Sequence, residues 1–242
     1  MPVALITGAS LGLGRALATE LSRRGWSLVA DGRRRDLLDD LVHELKPGSV
    51  TAVPGDVADP RHRKRLLAAV QQHGRLDLLV NNASCLGPSP RPYLMDYPLD
   101  QLARVYEIDV LAPIALIQLH HRLLMASAGA IVNVSSDAGA EAYECWDGYG
   151  SAKAALDQAS AVLAVEEPFL DVYAFDPGDM RAQMHQLAFP GEDISDLPRP
   201  ESVVPALLAL VETRPPSGRY RARDLQPHTA ATKSLPVAAQ VA

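Results

Sequence analysis

Tyr149 and Lys153 stand four residues apart in the run Tyr149-Gly150-Ser151-Ala152-Lys153. On a helix that spacing puts a phenol and an ammonium on the same face, one turn apart. A free tyrosine titrates near ~10, too high to exchange protons readily at neutral pH. A neighbouring cation favours the phenolate and lowers that value, which makes the phenol a usable general acid or base. The same pair also arises by chance, so the reading depends on what else the chain supplies. Two further signals carry weight: a glycine-rich turn near residue 10, and Ser136.

The elements that must position this pair begin at the amino end. Pro2-Val3-Ala4-Leu5-Ile6 is a short apolar run that reads as a buried strand. It leads directly into Thr7-Gly8-Ala9-Ser10-Leu11-Gly12-Leu13-Gly14, and residues 15–24 have helical character. Strand, glycine turn and helix in succession give such a motif its meaning. Glycines permit the tight turn and let backbone N–H groups approach a pyrophosphate at the positive end of the helix. A plain turn between strand and helix also uses glycine, but the flanking elements favour nucleotide binding.

A second apolar run, Ser27-Leu28-Val29-Ala30, ends at Asp31-Gly32-Arg33-Arg34-Arg35. In folds of this kind the end of the second strand meets the adenosine ribose: an acidic side chain there bonds the 2′-hydroxyl of NAD, whereas Arg binds the 2′-phosphate of NADP. Asp31 comes slightly early and Gly32 takes the discriminating position, with Arg33 and Arg34 just after. NADP(H) is therefore expected over NAD(H), the alternative being arginines that only solvate the start of a helix.

The chain has 242 residues, 48% of them apolar, enough for one sizeable α/β domain rather than two. A net charge of −6 argues against nucleic acid or an anionic membrane as a partner. The basic run Arg61-His62-Arg63-Lys64-Arg65 reads as a solvated helix face. No apolar stretch reaches membrane-spanning length, and the first strand begins too early to leave room for a signal peptide. Cys85 and Cys145 lie far apart without metal-type spacing, so reduced thiols in a cytoplasmic protein are expected. His120 and His121 are adjacent and diverge on a helix, and no metal site is expected.

Strand candidates at residues 2–6, 26–31, 50–53, 77–80, 130–135, 170–175 and 218–222 alternate with helical stretches near 12–24, 35–46, 60–73, 100–125, 148–165 and 201–212. Apolar, non-alternating strands separated by helices predict a doubly wound Rossmann fold, an approximately seven-stranded parallel sheet with helices on both faces. Ligands of such folds bind beyond the carboxyl ends of the strands. One domain over residues 1–225 is expected, with a flexible tail over 226–242. Two long loops, 84–99 and 179–200, leave the carboxyl edge and should border the pocket. The first carries Pro88 to Tyr97, and with Tyr143-Glu144-Cys145-Trp146 it suggests a partly aromatic wall.

With these residues assembled, the chain resembles the short-chain dehydrogenase/reductase family across roughly residues 2–225. The matching motifs are Thr7 to Gly14, Asp56-Val57, Asn81-Asn82-Ala83, Ser136, Tyr149 with Lys153, and Pro177-Gly178; Ser136 stands thirteen residues before Tyr149. The resemblance implies that Asp56 meets the adenine edge while Val57 packs on the ring, and that Asn81 and Ala83 line the cofactor cleft. It implies that Ser136 bonds the substrate oxygen that Tyr149 protonates. Lys153 would bond the nicotinamide ribose and depress the pKa of Tyr149, and Pro177-Gly178 would wall the nicotinamide. Ser135 is read as a strand-end structural serine.

Three positions depart from the family pattern. Ser84 replaces the last Gly of Asn-Asn-Ala-Gly. Ala182 stands where a Thr usually holds the nicotinamide carboxamide. Asp109 replaces a helix Asn that completes a proton relay, in which a backbone carbonyl at a kink holds a water near the lysine. Pro113, four residues on, has no N–H to offer the Asp109 carbonyl, so the relay is expected to persist through that backbone oxygen. The alternative is a relay that has been lost.

These implications converge on reduction of a ketone by NADPH, reversible as alcohol oxidation, in a homodimer or homotetramer acting on a small carbonyl or alcohol substrate. An NADP-binding sensor without catalysis is the second reading, disfavoured by the Ser136, Tyr149 and Lys153 set. A sugar-nucleotide epimerase or dehydratase is the third, disfavoured by the lack of a C-terminal substrate domain. The substrate itself is not legible.

Overall fold

A computed structural model describes residues 1–225. The tail expected to fray from Gln226 onward lies outside the described residues. Seven strands, β1 (Val3–Ile6), β2 (Ser27–Gly32), β3 (Val50–Pro54), β4 (Leu78–Asn81), β5 (Ala130–Val134), β6 (Asp171–Asp176) and β7 (Gly218–Arg221), form one sheet in the order β3-β2-β1-β4-β5-β6-β7. Every pairing is parallel. The order reverses direction between β1 and β4, which opens a crevice beyond their carboxyl ends.

Each strand feeds both faces because successive side chains point to opposite sides. Ala4 and Ile6 join one buried cluster, with Leu17 and Leu21 of helix α1 (Gly12–Arg23) and Leu207 of α8 (Val204–Thr213). Val3 and Leu5 join the other, with Leu66 and Val70 of α3 (Pro60–Gln71) and Leu116 and Leu124 of α5 (Ala112–Ser127). Burial on both faces explains the unbroken apolar runs. The remaining long elements are α2 (Arg35–Glu44), α4 (Leu99–Tyr106) and α6 (Asp147–Glu166); α7 (Gln183–Ala188) and α9 (Ala222–Leu225) are short.

Three sequence expectations need revision. The stretch 100–125 is not one α-helix: α4 and α5 are joined by a π-helical turn at Glu107–Leu111, where the Ala112 N–H reaches back to the Glu107 carbonyl. Pro113, with no N–H, cannot continue the α-pattern across this point. The loop at 179–200 contains α7, a helix too short to show a clear apolar period. The basic run at 61–65 is only partly solvated. Asp59 caps α3 by accepting from Arg61 N (2.8 Å), which rotates His62 and Arg63 inward, and both are buried. Arg63 Nη1 donates to the carbonyls of Val57 (2.7 Å) and Ala58 (3.0 Å), so its charge holds the β3–α3 turn. Among the described residues no helix is long and apolar enough to cross a membrane.

Candidate active site

A cleft of about 800 Å3 runs along the carboxyl edge of the sheet, from the glycine turn after β1 to the amino end of α6. Gly8, Ser10, Leu11, Gly12 and Leu13 line one end. Gly8 (φ +66°) and Gly12 (φ +55°) adopt left-handed backbone that suits glycine. A Cβ on Gly14 would lie 2.5 Å from the Gly8 carbonyl oxygen, so only glycine lets α1 close on the turn. At Gly12 a Cβ would meet nothing within 4 Å, which leaves open space over the start of α1. An open cradle at a helix amino terminus suits a pyrophosphate.

Thr7 and Gly14 shape this turn from behind rather than lining the cleft. The Thr7 hydroxyl oxygen accepts from the backbone N–H groups of Asn82 (2.9 Å) and Ala83 (3.0 Å). Asn81 likewise does not line the cleft, contrary to expectation. As the last residue of β4 it points into the sheet layer, is buried, and donates to Asn133 Oδ1 (2.8 Å). Asn82, one residue later, faces the cleft together with Ala83 and Ser84.

Beyond the glycine turn, near the end of β2, Arg33, Arg34, Asp56 and Val57 line the cleft. Arg34 is tied to its neighbour Asp36 (2.9 Å). Among the described residues no hydrogen-bonding partner engages the Arg33 side chain, which leaves its guanidinium available to an anion. The Asp31 carboxylate is already engaged. Buried, it meets the equally buried His62 (Nε2···Oδ1 2.5 Å). A Cβ on Gly32 would crowd the Ser10 hydroxyl at 3.0 Å, so the discriminating position is held small by the glycine turn. Asp56 differs from expectation in being engaged as well. Its carboxylate accepts from Ala58 N (2.9 Å) and pairs with Arg104 of α4. Burial raises its pKa, but those donors outweigh burial and the net shift is downward.

The other end of the cleft gathers Ser136, Tyr149 and Lys153. Ser136 follows β5 by two residues and caps a short 3-10 turn; its hydroxyl donates to Asp137 Oδ1 (2.9 Å) and accepts from Ala138 N (3.2 Å). Ser135 beside it is buried, and its backbone N–H donates to the Phe175 carbonyl (2.7 Å), as a strand-end residue should. Tyr149 and Lys153 share a face of α6, the ammonium lying 5.3 Å from the centre of the phenol ring. Lys153 Nζ is buried, donates to the Val134 carbonyl (2.9 Å), and lies 3.1 Å from Asp109 Oδ1.

Two expectations change here. Asp109 reaches the lysine through its side chain: the carboxylate is fully buried, pairs with Lys153, accepts from Cys85 N (3.0 Å), and accepts from the Ser84 hydroxyl. The π-turn that Pro113 accompanies turns this side chain toward α6. Tyr149, moreover, is pushed above the ordinary phenol range rather than below it. Burial is the largest cause, Lys153 works against it, and Asp109 adds to it. Burial lowers Lys153, but Asp109 and Tyr149 more than reverse that, so it stays protonated. For Asp109 burial is the largest cause and the net shift is upward, although Lys153, Ser84 and the Cys85 N–H oppose it.

Tyr143, Trp146, Met180, Met184, Leu187 and Phe189 also wall the cleft. Trp146 meets Tyr149 edge-on with ring centres 5.7 Å apart and Phe189 at 6.0 Å. Pro177, Gly178 and Ala182 complete the wall below β6; Gly178 (φ +72°) donates to Asp176 Oδ1 (3.0 Å). The loop around Pro88–Tyr97 contributes less than expected. Pro90, Arg91 and Tyr93 line a separate, smaller pocket, and Arg91 stacks on Trp146 (4.0 Å) from behind. The contacts of His62, Arg104 and Asn133 carry no signal in sequence, because each meets its partner across more than thirty residues of chain.

Known proteins are similar to this chain in sequence and in fold. The sequence profile of the family described as short chain dehydrogenase matches residues 2–193. The sepiapterin reductase of Mus musculus is 32% identical over 201 residues, 77% of each chain. A short chain dehydrogenase from Shigella flexneri 2a, solved in complex with NADP, superposes with a TM-score of 0.85 at 27% identity, covering 92% of this chain and 97% of its own. Another, from Escherichia coli CFT073 with NADPH, gives 0.84 at 27%, covering 93% and 97%. A parallel sheet in this order, a glycine cradle at one end of its cleft and a Ser–Tyr–Lys cluster at the other, matched over most of the sequence, make the chain a member of the short-chain dehydrogenase family.

Proposed function

We propose that this protein is an NADP(H)-dependent carbonyl reductase, reversible as an alcohol dehydrogenase, with Tyr149 as the proton donor. The observation that carries the reading is a single cleft holding an unengaged Arg33 at one end and Ser136, Tyr149 and Lys153 at the other. The cofactors bound to its structural relatives and the reductase activity named for its mouse relative fit the same direction.

In this reading the glycine turn holds the pyrophosphate, Arg33 the 2′-phosphate, Val57 the adenine face, and Ala83 with Pro177-Gly178 the nicotinamide end. Bound NADPH supplies the hydride. The chain's own residues do the rest. Ser136 swings from Asp137 to donate to the carbonyl oxygen, which stabilises developing alkoxide charge. Tyr149 gives its hydroxyl proton to that oxygen, completing the alcohol. Lys153 stays charged and supports the transient phenolate. The aromatic and thioether wall excludes water and takes the apolar part of the substrate.

A cofactor-binding sensor would need the cleft but not the three polar residues at its far end. The two readings separate by following cofactor oxidation with a panel of ketones, in parallel with NADPH and NADH. Reduction of at least one ketone class, faster with NADPH, is expected. Tight NADPH binding with no turnover on any ketone would favour the sensor.

A further inference from the structure

Two residues that depart from the family pattern, Ser84, which lines the cleft, and Asp109, buried behind it, meet and together form one device. The Ser84 hydroxyl donates to Asp109 Oδ1, the Cys85 N–H donates to Oδ2 (3.0 Å), and Oδ1 also lies 3.1 Å from Lys153 Nζ. Both charged groups are sealed from solvent, at 0% exposure for Asp109 and 2% for Lys153. An unpaired carboxylate there would take up a proton instead. The Lys153 ammonium and the Ser84 and Cys85 donors all favour the carboxylate form of Asp109 against that burial, and they fix it in place.

We propose that Asp109, anchored by Ser84, is a positioning residue that neutralises Lys153 and thereby biases the site toward proton donation by Tyr149, that is, toward carbonyl reduction. The inference rests on the reductase reading given above. A bare ammonium 5.3 Å from the phenol ring would stabilise phenolate, the form that accepts a proton in alcohol oxidation. A carboxylate against that ammonium cancels much of its field, and the phenol keeps its proton to higher pH.

Other charges near Tyr149 are accounted for. Asp176, at the end of β6, is paired with Arg219 (3.0 Å), and Asp157, on α6 one turn past Lys153, is paired with the same arginine (3.0 Å). Asp137 accepts from Ser136 (2.9 Å) and Tyr143 (3.2 Å). Asp109 is therefore the carboxylate in contact with the lysine. The upward shift of Tyr149, with Asp109 among its causes, agrees in sign.

The test reads Tyr149 directly, in the absence of substrate, so that it can fail independently of the reductase reading. The chain has seven tyrosines, and a difference titration of near-ultraviolet phenolate absorbance against the corresponding Tyr149→Phe protein isolates this one. Asp109→Asn should bring the Tyr149 phenolate in at a pH lower by about 1 unit or more, the scale set by an uncompensated neighbouring cation. Asp109→Ala removes the same charge with different packing and should give the same shift. It also keeps the test open if the Asn variant does not fold. In a Lys153→Met background the Asn change should do little, because the unpaired buried carboxyl already carries a proton. An unchanged or raised Tyr149 titration in both Asp109 variants, or an equal shift with and without Lys153, would overturn the proposal.

Discussion

Asn82 and Thr7 are joined twice: the Asn82 backbone N–H donates to Thr7 Oγ1 (2.9 Å), and its side-chain amide donates to the Thr7 carbonyl (2.9 Å). The same amide also reaches the Gly8 carbonyl (3.2 Å). The end of β4 thus clamps the turn after β1 across the point where the sheet changes direction. The turn is held by the residue that follows a different strand, not by its own sequence alone.

Asn82→Ala removes two of these hydrogen bonds, each contributing about 1 kcal/mol. It should weaken NADPH roughly tenfold while leaving the secondary structure intact. Calorimetric titration with NADPH, beside circular dichroism, checks this; unaltered affinity would mean that the turn is held by other contacts.

Gly14→Ala should do more damage to the same end of the cleft. The added methyl meets the Gly8 carbonyl at 2.5 Å, and neither partner is a flexible side chain. The turn must shift, and a loss of NADPH affinity beyond about tenfold is expected, with a lower melting temperature. A variant that binds normally would show that α1 can retreat without opening the cradle.

Arg33→Ala should weaken NADPH far more than NADH, since only NADPH carries the 2′-phosphate. A charge-assisted contact of this kind contributes roughly 1.5–3 kcal/mol, about ten- to a hundred-fold. Arg34→Ala should matter less because Arg34 already pairs with Asp36. Equal losses for both cofactors on removing Arg33 would assign the discrimination elsewhere.

The order of strands and helices was legible because doubly buried strands write themselves as apolar runs, and the Tyr149–Lys153 spacing survives intact on α6. Finer placement depended on phase and on distant partners. At Asn81 the strand ends one residue later than the apolar run, so the cleft-facing role passes to Asn82. At Asp109 the backbone carbonyl was read as the functional atom; the π-turn presents the carboxylate to Lys153, and no periodicity in residues 100–125 announces that turn. For Tyr149 the spacing revealed the cation but not the burial that outweighs it. Arg104 and His62 engage Asp56 and Asp31 across forty-eight and thirty-one residues, contacts that only the folded sheet edge creates.

Apolar side chains remain exposed on the helices that border the site, Leu99 at 77% and Leu111 at 52% on one side, Val165 at 82% on α6. A homodimer or homotetramer assembled through these helices is expected. Light scattering at micromolar concentration should report two or four subunits, and a clean monomer would contradict this expectation.

The most direct measurement compares wild type and Tyr149→Phe on a ketone that the wild type reduces, with NADPH affinity determined in parallel. The phenol hydroxyl acts in proton transfer and its loss removes no group that holds the nucleotide. Turnover should fall at least ~10²-fold, the usual scale for a general acid, while NADPH binding stays nearly unchanged. Comparable turnover by the Phe variant would contradict the account, since the proton would then come from elsewhere.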